Sequence, residues 1–219
     1  MEKVVRAIVR MLRLGCPWRD LECEGIHWRT VYGYFVAWRE SGAIDALLKR
    51  MARRSRSKLR FLDASYVRVH HSGSNPRGGQ EQELMGRGRG GLSTKIHAIC
   101  DSQGRILHLL LSAGNRTDIN SAKAMVEHLR EGVLVADKGY DADWLRELLF
   151  ENDVFPCIPT LSTRKEARPF HRGFYRKRHR IENCFEVLKR YRRVSSRYEK
   201  LATSFLTFAS LAALQTWIS

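Results

Sequence analysis

The sequence predicts an α/β chain: a mixed sheet with flanking helices, preceded by a small helical, helix-turn-helix-like module. Two observations carry this. Apolar residues follow helical spacing up to about residue 48 and alternate from about residue 59, on either side of a strongly basic stretch. The segments that follow then read, in order, as three strands, helix, strand, helix, strand and two helices. The chain therefore divides into a helical module over 1–48, a basic linker over 49–57 and a sheet-bearing domain over 58–219.

Each element has its own signal. EKVVRAIVRMLRL (2–14) carries apolar residues at 4, 5, 8, 9 and 12, which is helical spacing. Gly15 ends that helix, and Pro17 opens a short one over 17–21. Over 28–48, Val31, Tyr34, Phe35 and Trp38 share a face, with a break at Gly42. Three short helices with tight links suit either a DNA-binding helix-turn-helix or a plain helical cap packed on the main domain. KRMARRSRSKLR (49–60) reads as linker. Residues 59–69, 94–100 and 106–112 alternate as strands, the last two joined by a turn at 101–104. The polar, Gly-rich excursion over 71–92 reads as a mobile loop.

Asp118 is placed to cap a helix over 119–130, and Gly132 to end it. Residues 133–136 form a short apolar strand, Asp141 caps the next helix to about 152, and 155–159 make the final strand. A long basic helix over about 170–194 and an apolar helix over about 200–217 complete the chain. This order of elements is that of the ribonuclease-H-like fold.

Charge narrows the function classes. The 219 residues include 39 Lys and Arg against 23 Asp and Glu, a formal net charge of +16. Such an excess points to a polyanionic partner, nucleic acid before an anionic membrane. No apolar run approaches the ~18 residues that a spanning helix needs, and Arg6, Arg10 and Arg13 interrupt any signal-peptide pattern. The five cysteines are scattered with no CxxC pair, as expected of reduced, cytosolic thiols rather than a disulfide or zinc framework. GRGRGG (86–91) lacks the GK[ST] ending of a phosphate-cradling loop.

Three acids stand out. Asp63 is the only acidic residue from 46 through 80 and lies inside an apolar strand, where a carboxylate is costly unless paired or metal-bound. Its alternative is an ion pair with a neighbouring Arg. Asp137 directly follows the apolar run 133–136, at the strand end where open α/β sheets bind ligands. Its alternative is a turn Asp of the kind expected at 141 and 143. Glu182 borders the buried stripe Ile181, Phe185 and Leu188 in a helix dominated by Lys and Arg. Its alternative is an i,i+4 pair with Arg178, and Glu186 is a rival carboxylate. Together the three suit oxygen ligation of Mg²⁺ beside DNA phosphates.

The run Tyr175-x2-Arg178-x3-Glu182-x6-Lys189 matches the Tyr-Arg-Glu-Lys signature of insertion-sequence transposases of the DDE superfamily. FLDASYVRVH around Asp63, the segment 86–119, ADKGYDAD around Asp137 and LRLGCPWRDL near the start are similar to further segments of that group, closest to the insertion sequence five family. The resemblance implies a ribonuclease-H-like catalytic domain that cuts the ends of a DNA element and joins them to target DNA. It implies Asp63, Asp137 and Glu182 as catalytic residues and ligands of Mg²⁺ or Mn²⁺, with two ions. It also implies DNA contacts by Tyr175, Arg178, Lys189, Lys138, Arg87 and Arg89, terminal inverted repeats and target duplex as partners, a homodimer at synapsis and a bacterial cytoplasmic setting. Family members carry some tens of residues before the helix that starts here at Met1, so a truncated or late-starting chain is expected. Two other readings remain: a structure-selective nuclease without strand transfer, and a catalytically inactive derivative that only binds DNA.

Overall fold

The long alternating segment forms the spine of the sheet, β1 (Leu59–Val69), in a computed structural model that describes residues 1–23, 25–74 and 79–218. β1 pairs antiparallel with β3 (Gly91–Asp101), and β3 pairs antiparallel with β4 (Ile106–Ala113). On the other side, β1 pairs parallel with β5 (Gly132–Val135), which pairs parallel with β6 (Val154–Cys157). Five strands of the seven-stranded sheet thus run β4-β3-β1-β5-β6, with β3 reversed against β1, a mixed sheet as expected from the sequence.

Successive side chains of β1 point to opposite faces, and each face has its own core. Phe61 and Val67, with Ile96 and Ala98 of β3, pack toward α7 (His179–Lys189) and α9 (Ala202–Gln215). Leu62 and Ile99 pack toward α4 (Ile119–Val126) and α5 (Asp143–Glu151) through Met125, Leu145 and Leu149.

The amino-terminal helices are α1 (Glu2–Leu14), α2 (Trp28–Glu40) and α3 (Ala43–Ala52). They share the first of these cores, with Phe35 stacked on Phe208 of α9 at 4.5 Å between centroids. The linker expected over 49–57 starts inside α3, because Leu48 and Met51 extend the apolar face of Ile44 beneath a basic surface.

Several other expectations change. The excursion over 71–92 is not all loop. β2 (Gly86–Gly88) folds against the start of β3, with Arg89 and Gly90 at the turn of the hairpin; residues 75–78 of that expected loop lie outside the described residues. Gly86 is needed there, since a Cβ would meet Asn115 Oδ1 at 2.1 Å. α4 ends at Val126 rather than near 130, ahead of positive φ angles at Glu131 and Gly132.

The basic helix expected over 170–194 is broken. It consists of α6 (Arg172–Tyr175), a 3₁₀ turn (Arg176–Arg178), α7 and α8 (Arg192–Ser195). Tyr191 takes an extended conformation (φ −88°, ψ 115°) that separates α7 from α8. The chain then runs into β7 (Ser196–Arg197) beside Arg68 and Val69 of β1. Arg197 is fully buried, its Nη1 donating to Thr94 Oγ1 at 2.6 Å and its Nε to the Glu199 carbonyl at 3.0 Å.

Two expected caps are not caps. Asp118 makes no side-chain cap on α4 and instead accepts from Lys95 Nζ at 2.7 Å. Asp141 is fully buried and ties the turn after β5 to the segment after β6. It accepts from Arg146 Nε at 2.9 Å, the Leu161 amide at 2.8 Å and Arg164 Nε at 2.8 Å. The five cysteines are free, and among the described residues no helix is long and apolar enough to cross a membrane.

Candidate active site

The register of the parallel pair places the first two acids. Phe61 of β1 stands beside Val135 of β5. Two residues further along come Asp63, within β1, and Asp137, just past the end of β5, close enough for the charge of Asp137 to act on Asp63. Strand β5 has ended by then, and Asp137 opens a 3₁₀ turn (Lys138–Tyr140), its Oδ1 accepting from the Gly139 amide at 2.9 Å. The turn role and the strand-end role thus coexist at Asp137.

Asp63 is largely buried, with 20% of its side chain exposed. Its Oδ1 accepts from the Ala64 amide at 2.8 Å and its Oδ2 from Arg178 Nη1 at 2.7 Å. Burial pushes its pKa above the ordinary carboxylate range, and the negative charge of Asp137 adds to that; the Ala64 amide and Arg178 oppose it without cancelling it.

Arg178 joins the third acid to this pair. Its Nη2 donates to a carboxylate oxygen of Glu182, one turn on, so one guanidinium bridges β1 and α7. The Glu182 side chain is half exposed. Glu186 is also exposed, one further turn along α7. Lys189, at the end of α7, donates to Ser65 Oγ at 2.7 Å, and burial lowers its pKa. Two residues of the Tyr-Arg-Glu-Lys run therefore grip β1 two positions apart.

The remaining expected contacts are more scattered. Tyr175 lies half-buried against the core, edge-on to Phe170 at 5.4 Å. Lys138 is exposed beside Asp137, and Arg87 and Arg89 are exposed on the β2–β3 hairpin. Among the described residues, no three of the His, Cys, Asp and Glu side chains are close enough to hold a metal ion as they stand. Asp63 and Asp137 are neighbours, and Glu182 reaches them through Arg178.

One residue at the site escaped the sequence reading. Tyr140 is buried under the second core cluster, and its hydroxyl has no hydrogen-bond partner. Burial raises its pKa, as do the charges of Asp118, Asp63 and Asp137. The only signal was its place in the acid-rich turn ADKGYDAD. The unpartnered phenol lies within electrostatic reach of Asp118, Asp63 and Asp137. The donors are all oxygens, the set that hard divalent cations prefer.

Comparison with known proteins gives the family. The family described as "Transposase DDE domain" matches residues 54–217, and that described as "Putative transposase of IS4/5 family" matches residues 1–48. A Brucella ovis protein named "Putative transposase for insertion sequence element IS6501" is 35% identical over 129 residues, covering 58% of this chain and 99% of that one. Two solved structures also align: a Mos1 transposase paired-end complex with the left transposon end and a pre-cleavage Mos1 transpososome. Their TM-scores are 0.28 and 0.30, at 14% and 9% identity, over 70% and 97% of this chain and 57% and 77% of theirs. The chain thus spans little more than half of the first, and at those scores the likeness carries no assignment. The matches to sequence families do: this chain belongs to the DDE transposases of insertion sequences.

Proposed function

We propose that the protein cleaves the phosphodiester bonds at the ends of its element and joins the freed 3′-hydroxyls to target DNA, with Asp63, Asp137 and Glu182 as the metal-binding catalytic residues. The observation that supports this reading is the close approach of Asp63 and Asp137 just beyond the paired ends of β1 and β5, with Arg178 tying Asp63 to Glu182 of α7. Mg²⁺ or Mn²⁺, as two ions, would be held by these carboxylates and would supply Lewis-acid and charge-neutralising chemistry for phosphodiester exchange. Asp63 would offer its carboxylate from β1, Asp137 from the turn that follows β5, and Glu182 from α7.

The basic residues around them position the DNA. Arg178 and Lys189 lie along the acid face of β1, Lys138 adjoins Asp137, and Arg87 and Arg89 extend from the hairpin. Tyr175 supports the approach to α7 from the core side. The duplex partners are the element's terminal repeats and the target, two protomers hold the two ends, and the work is done in the bacterial cytoplasm.

Incubation of labelled duplexes from the element ends with a plasmid target tests the reading. Wild type in Mn²⁺ is expected to nick the ends and link label to plasmid, and chelation or Asp137→Ala to stop both. Cutting without linkage means a nuclease. Equal binding by wild type and Asp137→Ala with no cutting in either metal means a DNA-coating protein. Binding is also expected to weaken with salt: each phosphate neutralised contributes roughly 0.9 to the slope of log affinity against log salt, so a flat response excludes DNA as the main partner.

A further inference from the structure

We propose that Arg178 is a built-in cation that keeps the acid site closed until a DNA phosphate draws it away, so that DNA and divalent metal bind cooperatively. The inference rests on the metal-site reading of Asp63, Asp137 and Glu182 and adds a regulator to that site.

The guanidinium occupies the ground between two of the three acids. Nη1 lies 2.7 Å from Asp63 Oδ2, and Nη2 contacts the Glu182 carboxylate. A metal ion and an arginine cannot share the same carboxylate lone pairs, so ligation through Asp63 Oδ2 requires the arginine to leave. Its charge cannot be removed by deprotonation, which leaves displacement as the only route.

Displacement is sterically open. The Arg178 side chain is one-quarter exposed, and its backbone lies in the 3₁₀ turn ahead of α7, so it can swing without unwinding the helix that carries Glu182. Arg176, Lys177 and Arg180 are exposed around it and would bring a DNA backbone to the spot. The two non-bridging oxygens of a DNA phosphate offer the planar guanidinium fork a two-point anionic partner. Once the arginine has gone, Asp63 Oδ2 is freed next to Asp137, and a divalent cation can take the position that the guanidinium held. The arginine then stands on the phosphate beside the acids it has released.

Linkage makes the claim quantitative. If DNA removes the competing cation, DNA raises metal affinity by some factor, and metal must raise DNA affinity by the same factor, on the order of 10-fold.

The test uses the full chain and Mn²⁺ titrated by electron paramagnetic resonance, with and without a pre-cleaved end duplex, correcting for Mn²⁺ held by the duplex alone. DNA affinity is measured by anisotropy with and without Mn²⁺ at constant ionic strength. Wild type is expected to show equal gains in both directions. Arg178→Gln is expected to bind Mn²⁺ about 5- to 10-fold more tightly without DNA, and to show little coupling. Arg178→Lys, which keeps the charge but loses the fork, is expected to fall between, and serves if the glutamine variant does not fold.

Unchanged or weaker Mn²⁺ binding by the folded variants, or full coupling that survives Arg178→Gln, overturns the arginine inference while leaving the metal site standing. Mn²⁺ binding by wild type that Asp63→Asn and Asp137→Asn together fail to reduce overturns the metal-site reading, and this inference with it.

Discussion

Asp63→Asn is expected to lower end cleavage by at least about 100-fold while leaving the protein as stable as wild type at neutral pH, or slightly more so. The first half follows from the position of Asp63 beside Asp137: loss of groups that merely support a metal ligand already costs 10- to 100-fold, and loss of a ligand costs more. The second half follows from the pKa. Burial, reinforced by Asp137, holds Asp63 above the ordinary carboxylate range in the folded protein. The folded state therefore binds its proton more tightly than the unfolded chain does. Stability from that proton is present at low pH and declines as pH rises through the raised pKa, so at pH 7 the charge is a net cost. Asparagine removes the cost and keeps the shape. Thermal unfolding of both proteins from pH 4 to pH 7 checks the sign: wild type loses ground against the variant as pH climbs. A large drop in melting temperature for the variant would make Asp63 a structural partner of Arg178.

Asp141→Ala has the opposite signature: a loss of about 3–5 kcal/mol in folding stability. The Asp141 carboxylate is fully buried and holds Arg146, Arg164 and the Leu161 amide at once. Removal leaves Arg146 charged and 91% buried, with the Ile158 carbonyl at 2.8 Å as its remaining acceptor. Burial alone would raise the Asp141 pKa, but the Leu161 amide, Arg146 and Arg164 outweigh it, and the net shift is downward. Its contribution is thus present above the unfolded pKa and lost as pH falls through the lowered one. Urea unfolding at pH 7 measures the loss, and its shrinkage on acidification confirms the source. A loss under ~1 kcal/mol would refute the network as a staple.

Asp137 and Asp141, four residues apart, show what the sequence made legible. Strand positions could be read because alternation reports a half-buried surface directly, and Asp137 was visible because it ends a run with no polar residue. Asp141 looked like a cap because its true partners are Arg146, Arg164 and Leu161, the last two on a different segment brought near only by β6. The same limit hid Tyr140, whose burial depends on α4 and α5 closing over the sheet. The division of the basic helix was invisible for another reason: nothing in the composition of 170–194 marks Tyr191 as extended, and β7 is only two residues long. Arg178 was foreseen as a partner of Glu182 alone, and the structure joins it to Asp63 as well.

The stacking of Phe35 on Phe208 and the burial of Met11 and Leu12 beside α9 bear on engineering. Arg193 reaches across the same seam to the Cys16 carbonyl at 2.5 Å. The chain is consequently a poor donor of interchangeable parts: severing it near residue 53 to graft the acid-bearing half onto a new targeting protein would strip a wall from the hydrophobic interior. A fusion that respects this architecture keeps all the helices together and adds its cargo at a terminus.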